Sequence, residues 1–86
     1  MNEENKEELI KQIEMLENIA KKYLTKEALS RYGNLKIAHP EIAIKAIAAI
    51  AQAVQFGQLQ RPLTDKEFKE LLIEIQKGKK GFHFKR

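Results

Sequence analysis

Apolar residues recur along most of the chain at spacings of three and four, a rhythm that predicts four helices. The first runs from Glu3 to Tyr23, with Leu9, Ile13, Leu16, Ala20 and the following Leu24 on one face. Asn2 is placed to cap it, and Lys21 and Lys22 suit its negative C-terminal end. Met15 and Ile19 lie on a flank of the stripe, open to a neighbour or to solvent. Thr25 is placed to cap a second helix from Lys26 to about Leu35, with Ala28, Leu29 and Tyr32 as its apolar side. Gly33-Asn34 favours a helix end, so the chain either holds the helix or passes through Leu35-Lys36-Ile37 as an extended connector.

The third helix, residues 40–56, is the clearest. Pro40 suits its first position, and Gly57 supplies the left-handed residue that ends it. Its polar residues, Glu41, Lys45, Gln52 and Gln55, fall in a stripe about 80° wide at 100° per residue. The rest is Ile, Ala, Val or Phe, so this helix must be surrounded by the others. The fourth helix opens with Thr64-Asp65-Lys66-Glu67, a capping box, carries Phe68, Leu71, Leu72 and Ile75 on its core face, and stops at Gly78. The expected fold is all-α: a compact three-helix bundle around the central helix 40–56, with an additional N-terminal helix. The organisation reads as an amphipathic helix over 1–23, a bundle core over 24–78 and a basic tail over 79–86.

A chain of 86 residues makes one domain and leaves no room for an internal cavity. Without cysteine it has neither disulfide nor thiolate metal site. Residues 1–8 do not resemble a signal peptide, and the longest apolar run, Ala46–Ala51, is far short of the roughly 20 residues of a membrane span. A cytoplasmic protein with no membrane partner is expected. Catalysis needs polar groups gathered in a shielded pocket, and none is indicated. His39 precedes Pro40 at a helix start and reads as a cap, while His83 lies in the basic tail. The glycines are isolated, so there is no phosphate loop. Neither enzyme activity nor a cofactor, metal or small-molecule substrate is expected.

Charge changes the picture. Residues 1–17 hold six acids against two lysines, whereas the remainder holds fourteen bases against six acids. On the fourth helix, Lys66, Lys69 and Lys77 share a sector about 80° wide opposite the core stripe, with Ile73 inside it and Glu70 at its margin. That stripe runs into Lys79, Lys80, Lys85 and Arg86, and Arg31 and Lys36 are candidate helpers. Exposed lysines often serve solubility alone. A continuous cationic surface also binds the phosphates of double-stranded DNA by releasing counterions. The central helix is too apolar to lie in a major groove, so weakly selective phosphate contact is expected rather than base reading.

The runs LTKEALSRYGNL (24–35), IAHPE (37–41), AVQFGQL (53–59), PLTDKEFKELL (62–72) and FHFKR (82–86), in that order, resemble the programmed cell death protein 5 family, and most of all its archaeal members. The resemblance covers about residues 24–86. It implies a compact three-helix core, a more loosely attached N-terminal helix and binding to double-stranded DNA. Eukaryotic members bind protein partners, including a cytosolic chaperonin. This chain departs from relatives in its short acidic N-terminal segment and in ending at Arg86 without an acidic tail. The alternative to DNA binding is a protein-interaction adaptor that uses the amphipathic first helix.

Overall fold

The computed structural model describes residues 3–78. Four helices follow in order: α1 Glu3–Lys22, α2 Lys26–Ala38, α3 Pro40–Gln55 and α4 Asp65–Gln76. The fold is all-α, and among the described residues the sole extended pairing is a parallel bridge between Leu24 and Leu63. Among the described residues no helix is long and apolar enough to cross a membrane.

α3 packs against each of the other three helices. Ala43, Ala46, Ile47 and Ile50 are wholly buried, with Ala51 and Ala53 nearly so. Burying apolar surface drives this packing at roughly 25 cal/mol per Å², and the small alanines let the neighbouring backbones come close. Three neighbours do not close the circle: Ile44 at the edge of the polar stripe and Phe56 at the C-terminal cap stay exposed. α3 is therefore central but less completely surrounded than its sequence predicts. Gly57 leaves the helix at a φ of 70° and Gly78 leaves α4 at 74°, conformations glycine adopts without strain.

The Leu24–Leu63 bridge clasps the two longest-separated connections. The Leu63 N–H donates to the Tyr23 carbonyl at 2.8 Å, and the Thr25 N–H donates to the Leu63 carbonyl at 2.9 Å. Both leucine side chains are buried. One residue past each leucine stands an N-cap: Thr25, whose hydroxyl accepts from the Ala28 N–H, and Thr64, which does the same for Glu67. α2 and α4 thus start side by side from one stapled point.

Two details depart from expectation. α2 runs through Gly33-Asn34 to Ala38, and no extended connector exists. Leu35 packs against the core, and its carbonyl accepts the His39 N–H at 2.7 Å, so tertiary contact overrides the turn preference of the Gly-Asn pair. His39 is the N-cap residue of α3, but its ring makes no capping bond; only its carbonyl takes part, accepting from Ala43 at 3.1 Å.

α1 is half attached. Ile13, Leu16 and Ala20 pack on the core, whereas Leu9, Ile10 and Met15 are exposed. A carboxylate fastens the attached half: Glu17 accepts from the Tyr32 hydroxyl at 2.6 Å and from Lys36 Nζ at 2.7 Å, with Lys21 at 3.8 Å. The Glu17 side chain is mostly covered. The Lys36 bond first, then the Tyr32 bond, hold its pKa below 4.5, while burial and Glu17 push the Tyr32 phenol above its ordinary range.

Two outcomes are expected. Ala46→Leu overfills a fully buried site and should cost about 1–3 kcal/mol in denaturant unfolding, with Ala48→Leu, at a partly exposed site, much milder. Glu17→Gln should cost about 1–2 kcal/mol at neutral pH. A lowered carboxylate pKa contributes stability that is fully present above the unfolded value, 4.5, and is lost as pH falls through the folded value. The gap between wild type and Glu17→Gln in denaturation midpoints should therefore narrow below pH 4.5.

Candidate nucleic-acid interface

α4 divides its circumference between core and solvent. Phe68, Leu71 and Leu72 are buried, while Lys66, Lys69, Glu70, Ile73 and Lys77 are exposed. The helix is set by its first turn. The Thr64 N–H donates to Glu67 Oε1 at 2.9 Å and the Thr64 hydroxyl accepts from the Glu67 N–H at 3.2 Å, so two otherwise unpaired donors are satisfied. Arg61 forks onto the same carboxylate at 2.9 and 2.6 Å. The Arg61 bond first, then the Thr64 N–H, bring the Glu67 pKa down to about 2. Glu67 is thereby spent on holding the helix start and the Arg61-Pro62 connector.

Lys66, Lys69 and Lys77 are all exposed, and none of their side chains forms an ion pair or hydrogen bond among the described residues. The two candidate helpers part company. Arg31 of α2 reaches α4, its Nε donating to Asp65 Oδ1 at 2.6 Å and its Nη2 to Asp65 Oδ2 at 2.9 Å. Lys36 faces the other way, onto Glu17 of α1. Lys79, Lys80, Lys85 and Arg86, like His83, lie outside the described residues.

Between α2 and α4 runs an open groove of about 950 Å³. Lys26, Glu27, Ser30, Arg31 and Asn34 line it from α2, and Asp65, Lys69 and Gln76 from α4. Its apolar lining is Leu35, Ala38, Leu72 and Ile73. The α2 wall escaped the sequence reading. Lys26, Ser30 and Asn34 stand four apart and so share a helix face, but spacing along α2 does not disclose that this face meets α4. Asp65 has a lowered pKa, caused first by the Arg31 bond, with the Lys69 charge contributing. Among the described residues no cluster of three or more His, Asp or Glu side chains is positioned to hold a metal ion.

These features sit in a recognisable class. The chain matches the family described as "Double-stranded DNA-binding domain" over residues 1–86, and it belongs to that family. It is 36% identical over 81 residues to a DNA-binding protein of Archaeoglobus fulgidus, covering 93% of this chain and 73% of that one. To a DNA-binding protein of Methanocaldococcus jannaschii it is 35% identical over 74 residues, covering 85% and 68%. To one of Thermococcus kodakarensis it is 38% identical over 60 residues, covering 70% of this chain but 54% of the relative, so the match spans about half that protein. The resemblance to archaeal members of the programmed cell death protein 5 family is thus supported along nearly the whole chain. No solved structure matches.

Proposed function

We propose that this chain binds double-stranded DNA through its phosphates, with little sequence selectivity, using the outer face of α4 and the basic tail. The observation that carries the reading is the exposure of Lys66, Lys69 and Lys77 on one face, their side chains in no ion pair among the described residues, in a chain of this family. Curated relatives bear the name DNA-binding protein. Lys79, Lys80, Lys85 and Arg86 extend the same charge beyond α4, and Arg31 lies beside it. α3 offers little base-reading surface, because Ala43, Ala46, Ile47, Ile50, Ala51 and Ala53 are buried and its polar groups are confined to one narrow stripe. Nothing in this role calls for catalysis, a cofactor or a small-molecule substrate, and it suits a cytoplasmic setting.

A second reading has its own observation. Leu9, Ile10 and Met15 are exposed on α1 beside the exposed acids Glu7, Glu8 and Glu14, an apolar and negative surface fit for a basic protein partner.

Titration of random duplex DNA by fluorescence anisotropy at several salt concentrations tests the first reading. If four or five phosphates are neutralised, log affinity should fall against log salt with a slope of about −4. Replacing Lys66, Lys69 and Lys77 by alanine should flatten that slope by about 3 and weaken binding to all sequences alike. Binding that ignores salt, or ignores both this triple variant and removal of residues 79–86, overturns it. For the second reading, a pull-down of a bound protein should weaken with Leu9→Ser and Ile10→Ser together, and equal recovery argues against it.

A further inference from the structure

The Arg31–Asp65 pair lies at the edge of the cationic α4 face, and its chemistry has a use beyond bracing two helices. Arg31 presents one edge of its guanidinium, Nε and Nη2, to both oxygens of Asp65. The same edge matches two oxygens of a phosphate. Both side chains are more than a third exposed, at 40% and 38%, so a phosphate has access from solvent. Ion pairs this exposed contribute little to stability. α2 and α4 remain held without it, through Ala28, Tyr32, Phe68 and Leu72 of the core and the Leu24–Leu63 clasp. Asp65 also keeps partners when Arg31 leaves. It lies in the first turn of α4, where a negative charge is favoured, and within the field of Lys69. The groove beside the pair supplies Lys26 and Lys69 as flanking cations and Ser30 and Asn34 as hydrogen-bonding groups, with Glu27 as a second acid on its wall.

We propose that the α2–α4 groove is a phosphate seat in which Asp65 occupies the place of a DNA phosphate until DNA arrives, when Arg31 exchanges the carboxylate for the phosphodiester. This rests on the DNA-binding reading and adds to it a second row of contacts, from α2, with a built-in competitor. Asp65 then acts as a governor. It holds back one cation and places a negative charge beside the incoming backbone, so that binding stays weak and readily reversed.

The test is a double-mutant cycle on the full chain with random duplex DNA, using Asp65→Asn, Arg31→Gln and the pair together. Asp65→Asn should bind roughly 3- to 10-fold more tightly, because Arg31 no longer has to leave a carboxylate to reach the phosphodiester. Arg31→Gln alone should weaken binding and flatten the salt slope by about 1, since the complex loses the phosphate contact that the exchange makes. In the double variant the gain should vanish. A gain that survives loss of Arg31 means that Asp65 merely repels DNA, and it overturns the exchange. Wild-type binding with no gain in Asp65→Asn overturns it as well. Absence of saturable, salt-sensitive binding by any of the proteins overturns the DNA-binding reading along with it. Asp65→Ser, short and neutral at the same helix start, provides a second route to the same comparison, and melting curves followed by circular dichroism check that every variant is folded.

Discussion

Everything in this molecule is arranged around the burial of α3. A helix of 16 residues whose polar groups occupy one narrow stripe is unstable in water by itself, and its other sides must be covered. Three helices cover it, and the alanines at 43, 46, 51 and 53 set how near they come. That requirement fixes which faces of α1, α2 and α4 turn inward. By subtraction, it also fixes which faces turn outward. The lysines of α4 are on the surface because Phe68, Leu71 and Leu72 are needed on α3.

The distribution of acids decides which cations are available. Glu17 is committed to Tyr32 and Lys36, Glu67 to Arg61 and the helix cap, and Asp65 to Arg31. Each of these carboxylates fastens a junction between elements and quiets the base that it meets. Lys66, Lys69 and Lys77 have no such bond. A formal charge of +4 therefore understates the character of the α4 face, while Lys36 is less cationic in effect than its sequence position suggests.

The helices and most of their ends were legible in the sequence, since caps and periodicity are local. Thr25, Pro40, Gly57, Thr64 and Gly78 each stand where the chain turns. The continuation of α2 was not, because Leu35 gains more from the core than Gly33-Asn34 loses in the helix, and the core is a tertiary object. The α4 stripe was readable by projection. The groove was not, as it requires two helices from opposite ends of the sequence. Nor does spacing disclose that Arg31 is held by Asp65 and Lys36 by Glu17, since both pairs join different helices. The exposure of Leu9 was missed for a similar reason: periodicity shows which side of α1 is apolar, not how far along it the neighbouring helix extends.

The clasp at Leu24 and Leu63 has a consequence for the order in which the protein comes into being. Its two halves belong to the first and last thirds of the chain, so it cannot close while the ribosome is still making the central helix. α1, α2 and α3 can pack as they emerge, but α4 arrives last and is set beside α2 only when Leu63 meets the backbone of Tyr23 and Thr25. Until then the groove has one wall, Arg31 has no Asp65, and the surface opposite α2 is open. The α4 face and the groove beside it are thus completed only once residues beyond Leu63 have been added, after the helix they pack on.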